Sequence, residues 1–291
     1  MEKNLIIDAN NLLHRVWWIS NQAKQDMVAV HFLNSLKKYV KQFKPDNIYL
    51  AWDKKLKPKI KNFRQLANET DYKGTREYNR DVYLHESLII NLCSQLNVKN
   101  IFPGVLEGDD VISWLANKLK GERVIVSVDH DFLQLVSLEN VCVYNPIKNI
   151  IYDKDEIVNR FGVQPNQFLS YKALIGDKSD NLPGIPRVGK KTALKILAKG
   201  IETLCEDHKK IYNKNILLMD LMNSCRHHHG EEDLYNEQYS KLKLQKINLN
   251  NFFKMCEENN FQQIIKNKHE WRASFTGSST LANIINSIGK Y

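Results

Sequence analysis

The sequence predicts an α/β fold, a mostly parallel central sheet with helices on both faces. Apolar runs that end on an aspartate stand at Leu5-Ile6-Ile7-Asp8 and at Ile48-Tyr49-Leu50-Ala51-Trp52-Asp53. Segments with helical spacing separate such runs, as Val30, Leu33, Leu36 and Val40 do between these two. A strand–helix–strand order of this kind is expected to pair in parallel, through a right-handed crossover.

Taken in order, Lys3 to Asp8 is the first strand, Asn10 to Ile19 and Val28 to Phe43 are helices, and Asn47 to Asp53 is the second strand. Trp17 and Trp18 could stack on bases, but two Trp in an early helix are more often core, which is the expectation for both. Lys54 to Arg80 breaks the pattern, with nine basic residues against Glu69, Asp71 and Glu77, and with Phe63, Tyr72 and Tyr78 interleaved. Charge runs are usually solvated loops. This one leaves directly from Asp53, so a clamp for single-stranded nucleic acid is expected, with Lys54, Lys55, Lys57, Arg64, Tyr72 and Arg80 as contacts.

Val82 to Leu96 reads as a helix and Val98 to Phe102 as a strand. In Val105 to Val136, Ile112, Leu115, Ala116 and Leu119 mark a helix face, and Val124 to Val128 is a β-branched strand. Glu107, Asp109 and Asp110 fall at the helix start, where exposed N–H groups favour carboxylates. Asp129 and Asp131 follow the strand and, two apart, point the same way. Val141 to Tyr144 and Ile150 to Tyr152 are further strands; Asp155 to Phe161 and Pro165 to Leu174 are helical. Asp177 follows, with Asp180 three residues on and on the same face. Gly184 and Gly189 bracket a turn that opens a helix, with Arg187, Lys190, Lys191 and Lys195 around it, which is a phosphate-binding arrangement. No buried strand precedes this Gly-x-x-x-x-Gly-Lys run, which excludes a nucleotide P-loop. Beyond Gly200 the chain is polar and helical; His227 to His229 reads as surface loop, and Leu249, Phe252, Phe253 and Phe261 as a core stripe.

Open parallel sheets bind ligands at the carboxyl ends of their strands. Neighbouring strands would therefore bring the acidic residues of these segments into one cleft. Clustered carboxylates do not stay ionised without cations, and oxygen ligands suit Mg²⁺ or Mn²⁺. A two-metal site is expected. The 291 residues are 43% hydrophobic and 26% charged, ordinary for a globular protein, yet the net charge is +9 despite the acidic clusters. An acidic cleft on a basic body suits an enzyme that cuts phosphodiesters. Five widely spaced cysteines without a Cys-x-x-Cys pair indicate neither a disulfide framework nor a zinc knuckle. With no signal peptide or membrane-length apolar stretch, the expectation is a soluble, cytoplasmic protein.

The ordered motifs IIDANN, the Asp53 strand end, VLEGDD, SVDHDFLQL and IGDKSDNLPGIPRVGKKTA resemble the flap endonuclease (5′-nuclease) family, especially phage enzymes and the N-terminal nuclease domains of bacterial DNA polymerase I. The resemblance covers residues 1–200 well and implies a PIN-like catalytic domain over 1–160, with a basic helical arch at 54–80. It implies a helical region over 161–291, in which 176–200 form a helix-hairpin-helix duplex clamp that holds K⁺. By position, Asp8, Asp53, Glu107 and Asp109 resemble the ligands of a first metal. Asp129, Asp131 and Asp177 resemble those of a second, with Asp109 able to serve both; Asp110 and Asp180 match acidic positions that act through water. Lys73 and Arg76 match the arch residues that engage the scissile phosphate.

The implied activity is that of a Mg²⁺-dependent 5′-3′ exonuclease or flap endonuclease of DNA replication or repair. Its implied partners are branched or 5′-flap DNA, the RNA–DNA hybrid of a primer, and replication proteins, with the enzyme acting as a monomer away from any membrane. Whether Leu249-x-x-Phe252-Phe253 contacts a sliding clamp stays open, because the Gln of such a motif is misplaced. The Lys- and Asn-rich composition suggests an AT-rich genome, and the lack of a polymerase domain suggests a phage or stand-alone enzyme, acting in a bacterial cytoplasm. Three rivals fit less well. A PIN-domain ribonuclease normally lacks both the basic insertion and the duplex clamp, and a haloacid-type phosphatase needs Asp where Asn10 stands. A catalytically silent binder of branched DNA has no use for so much carboxylate repulsion.

Overall fold

In the computed structural model, which describes residues 1–23, 27–54, 60–67 and 80–276, six strands form one sheet in the order β3-β2-β1-β4-β5-β6. They are β1 (Lys3–Asp8), β2 (Asn47–Ala51), β3 (Lys99–Ile101), β4 (Glu122–Val126), β5 (Val141–Asn145) and β6 (Ile150–Tyr152). All neighbours pair in parallel except β6, which returns antiparallel along β5. Chain order runs outward from β1 through β2 to β3, then jumps back to β4 on the other side. That reversal opens a crevice at the carboxyl ends of β1 and β4.

The first helices are α1 (Ala9–Gln22), α2 (Val28–Phe43), α3 (Phe63–Ala67), α4 (Glu86–Gln95) and α5 (Gly108–Lys118). They are followed by α6 (Lys154–Phe161), α7 (Phe168–Ile175), α8 (Lys190–Lys199), α9 (Glu206–Met219) and α10 (Glu231–Leu242), and by α11 (Leu249–Glu258), α12 (Gln262–Lys266) and α13 (Lys268–Phe275). The alternation of β1 explains the two-sided burial. Leu5 and Ile7 join a core with α1, α2, α4 and α11, whereas Ile6 faces a second core with α5, α7 and α10. Successive strand side chains point to opposite faces, so one apolar run serves both layers.

Leu249, Phe252 and Phe253 are buried, with Phe261 packed against the same core, as their spacing implies. Trp17 also packs there, but Trp18 is 60% exposed and is corrected from a core residue to a surface one. Two adjacent residues on a helix point about 100° apart, so a one-sided core takes only one of them. Among the described residues no helix is long and apolar enough to cross a membrane.

Candidate metal centre

Asp8 closes β1 and caps α1 by accepting from the Asn11 N–H at 2.9 Å, while the Ser127 hydroxyl donates to its other oxygen at 2.8 Å. Asp53 lies just beyond β2. Its backbone N–H donates to Asn10 Oδ1 at 2.9 Å, and its carboxylate accepts from the Gly108 N–H at 2.7 Å. A Cβ on Gly108 would come within 3.1 Å of that carboxylate and 3.2 Å of the Trp52 backbone, so any larger residue would push the start of α5 back by a few tenths of an ångström. Glu107 is the N-cap of α5 and Asp109 lies in its first turn, which sets both at the same sheet end, with favourable partial charge from the helix.

A second group follows β4. Asp129 accepts from the Asp131 N–H at 2.8 Å and donates its own N–H to the Ser127 hydroxyl at 3.1 Å, so Ser127 ties Asp8 to Asp129. Asp177 follows α7, where Ser179 donates to it through N–H at 2.7 Å and through its hydroxyl at 2.5 Å. Between Asp131 and Asp177 sits the Lys172 ammonium, 2.5 Å from Asp177 and hydrogen-bonded to Asp131. Asp180 is buried close enough for its charge to act on Asp131.

The electrostatics join the two groups. Burial pushes the Asp8 carboxyl up to about 7, and the charges of Asp53 and Asp129 add to that rise. Burial likewise raises Asp129, with Asp131 and Asp177 contributing, and raises Asp131 against the opposing pull of Lys172. Burial alone would lower the Lys172 ammonium, but the carboxylates of Asp131 and Asp177 outweigh it and the net shift is upward. For Asp177 burial acts upward, yet Lys172 and Ser179 overcome it and hold this carboxyl down at about 2. Burial and Asp53 also raise Glu86, at the start of α4.

Such a set is short of positive charge, and Lys172 stands where a cation is needed. Among the described residues no three acidic, histidine or cysteine side chains form a preformed cage for one ion. Mg²⁺ does not require one, because it keeps several waters and takes only one or two carboxylates. The donor chemistry of this cleft therefore fits hard divalent cations.

Two expected site residues are corrected. Arg64 is 1% exposed and cannot reach nucleic acid; its guanidinium forks onto Asp110 at 2.7 and 2.8 Å and its Nε donates to the Leu218 carbonyl. Asp110 is 0% exposed, and besides Arg64 it accepts from the Glu107 N–H at 2.9 Å, so it braces the start of α5 instead of meeting a metal through water. Lys54 is exposed beside Asp53. Lys55, Lys57, Tyr72, Lys73 and Arg76, with the side chain of Arg80, lie outside the described residues. So does most of the expected arch.

At the other end of the cleft, Gly176 has φ +77° and pairs across a two-residue antiparallel bridge with the 182–183 segment. A Cβ on Gly176 would meet the Gly184 nitrogen at 2.2 Å, and one on Gly184 would meet the Ile175 backbone at 2.3 Å. The two glycines thus let the chain fold tightly back before α8, whose N-cap is Gly189. Arg187, Lys190 and Lys191 are all exposed around that helix start. A cavity of about 580 Å³ runs from Asp129 and Asp177 past Lys148 and Lys178 to Lys190, linking the second acidic group to this basic segment.

Sequence reasoning missed Lys172, Ser127, Asn10 and Asn62. For Lys172 a signal existed, a single charge inside the apolar helix Phe168–Ile175, five residues before Asp177. A buried lysine needs a partner.

Comparison with known proteins agrees with this geometry. Residues 3–162 match the family model for the 5′-3′ exonuclease N-terminal resolvase-like domain, and residues 163–230 match the 5′-3′ exonuclease C-terminal SAM fold. The chain is 32% identical over 219 residues to a 5′-3′ exonuclease of Buchnera aphidicola, covering 72% of each chain. It is 37% identical over 186 residues to a 5′-3′ exonuclease of Aquifex aeolicus, covering 62% of each. It is 33% identical over 257 residues to DNA polymerase I of Synechocystis, where it spans 25% of that protein. In fold it is similar to the T5 D15 protein co-crystallised with metal ions, with a TM-score of 0.69 at 18% identity over 83% of this chain and 98% of that one. It is also similar to the catalytic core of Rad2 in complex with DNA substrate, with a TM-score of 0.51 at 13% identity over 88% of this chain and 87% of that one.

Proposed function

The chain belongs to the 5′-3′ exonuclease family, and from that premise we propose that it hydrolyses phosphodiesters of 5′-flap or branched DNA at the cleft between β1, β2 and β4. The observation that carries this reading is the convergence of two carboxylate groups that feel each other through Asp8, with a lysine held where a cation belongs. Asp8, Asp53, Glu107 and Asp109 are assigned to one Mg²⁺ and Asp129, Asp131 and Asp177 to a second, one or two of each set binding directly and the rest through water, with Mn²⁺ as a substitute. Asp180 supports the second group through its charge. When bound, the ions polarise the phosphate and lower the pKa of water, which supplies the nucleophile.

The chain's own residues orient and shield. Ser127 and Asn10 fix Asp8 and the backbone of Asp53, so the carboxylates are aimed before substrate arrives. Preorganisation of this kind avoids reorganisation during reaction. Lys172 offsets charge while the cleft is empty of cations. Lys54, Lys55, Lys57, Lys73 and Arg76, with Tyr72 and Arg80, are assigned to the 5′ single strand; Lys73 and Arg76 offset the charge on the scissile phosphate. The segment with Gly184, Arg187, Gly189, Lys190 and Lys191 holds the duplex and a K⁺ ion. The same reading makes the enzyme a monomer that also accepts the RNA–DNA hybrid of a primer and meets replication proteins.

The test is incubation with a 5′-flap duplex, with Mg²⁺ and then with EDTA. Cleavage that needs the metal supports the reading. Tight binding of branched DNA without cleavage in either Mg²⁺ or Mn²⁺ refutes it in favour of a silent binder.

A further inference from the structure

Asn62, Phe63 and Arg64 are consecutive, buried, and tied to three different places. The Asn62 carbonyl oxygen caps α3 by accepting from the Gln65 N–H at 2.9 Å, which fixes the amide so that its Nδ2 faces Glu107 Oε1 at 3.3 Å. The other Glu107 oxygen lies 3.8 Å from the Arg64 guanidinium. Each oxygen of that carboxylate therefore has a partner from residues 62–64, inside the span expected to form the arch. Phe63 points elsewhere. Its N–H donates to His228 Nε2 at 2.9 Å, and its ring stacks on His227 at 4.4 Å.

Besides Asp110, which pairs with Arg64, the supports of this segment come from residues 218–231, late in the chain. Leu218 gives its carbonyl to Arg64, and the loop between α9 and α10 supplies both histidines. Glu231, 4% exposed, accepts from the backbone N–H groups of Gly104 at 3.0 Å and Leu106 at 3.4 Å, and from that of Val105. Those three residues lead directly into Glu107. Charge-assisted bonds from several N–H groups to one buried carboxylate hold a loop firmly. The same late segment thus grips Glu107 twice, through its preceding backbone and through the residues that hold its carboxylate.

We propose that Asn62 and Arg64 are positioning residues that aim the Glu107 carboxylate at the first metal, and that residues 218–231 are the support that keeps them there. This rests on the reading of Glu107 as a metal carboxylate. It gives the middle of the C-terminal helical region a part in metal occupancy, separate from any grip on duplex DNA. Outer partners of ligating carboxylates commonly change metal affinity by about 10–100-fold when lost.

The experiment is calorimetric titration of Mn²⁺ into the full chain without DNA, beside the Mn²⁺ dependence of flap cleavage. Asn62→Ala is expected to raise the half-saturating Mn²⁺ concentration about 10-fold in both, with turnover recovering toward wild type at saturating metal. His228→Ala should shift the midpoint in the same direction, and His228→Gln should restore it, because the Gln carbonyl can accept the Phe63 N–H. Unchanged midpoints in folded Asn62→Ala and His228→Ala proteins overturn the proposal. So does an equal loss of rate at every metal concentration. If wild-type protein binds Mn²⁺ but cuts no flap substrate, the functional reading fails, and the titration still decides the positioning role.

Discussion

Replacing Lys172 with Met keeps much of the side-chain volume and removes one charge from a buried set of acids. Lys172, Asp131 and Asp177 have side-chain exposures of only 11%, 12% and 14%, so solvent screens their interaction little. Breaking a buried ion pair by deleting one partner costs about 3–5 kcal/mol, because the remaining charge is left uncompensated. At this chain length 1 kcal/mol moves the unfolding temperature by about 2 °C, so Lys172→Met should unfold about 6–10 °C below wild type in EDTA. A divalent cation can take over the missing charge. Ca²⁺, which would not be expected to turn the substrate over, should therefore restore much of the loss, and the variant should gain more from Ca²⁺ than wild type does. Thermal unfolding followed by circular dichroism, with EDTA and with a Ca²⁺ series, measures both. Equal destabilisation with and without Ca²⁺ would refute the idea that the ammonium substitutes for a cation.

Asp129→Asn and Asp177→Asn should each abolish cleavage while DNA binding in Ca²⁺ stays intact or tightens, since each carboxylate also repels phosphate; near-normal turnover removes that residue from the metal site. Replacing Arg187, Lys190 and Lys191 together with Ala should weaken duplex binding and flatten its salt dependence by about one unit of slope per lost phosphate contact. Binding of single strands, read in the same fluorescence assay, should change far less, and equal losses would mean that this segment is no duplex clamp. The pH dependence of metal-free stability follows from Asp8, whose folded carboxyl sits at about 7 against an ordinary 3.8. Between those values the folded state binds the extra proton, so this group removes stability as pH rises from about 4 to 7. Asp177, held at about 2, acts oppositely, adding stability that is present above the ordinary value and lost as pH falls toward 2, so it is silent across the neutral range. In EDTA the unfolding temperature should fall between pH 5 and pH 8, and Asp8→Asn should remove that part of the slope.

Strand ends are legible because a continuous apolar run and a terminal Asp are local features. Asp8 and Asp129 reach one cleft because the strand order follows simple crossover rules, whereas Asp177 arrives from the end of α7. Arg64 and Asp110 misled because charge runs carry no mark of which member turns inward. Lys61 and Arg64 look alike in a string of cations, and only tertiary contact with Leu218 and Asp110 separates Arg64. Phe63 and His228 could not be paired in advance, since 165 positions separate them and neither belongs to a spacing motif. Trp18 was misplaced because adjacent bulky residues were read as a unit, whereas a helix turns them apart.

The placement of β1 at the middle of the sheet sets a fixed gauge for the enzyme. Asp8 stands on the centre strand, Asp53 beyond one neighbour and Asp129 beyond the other. Their spacing is counted in interstrand steps of about 4.8 Å, held by backbone hydrogen bonds. Changes in the length of the connections between strands leave that gauge untouched. A lineage with this architecture can therefore vary its surface connections while the three carboxylates keep their spacing.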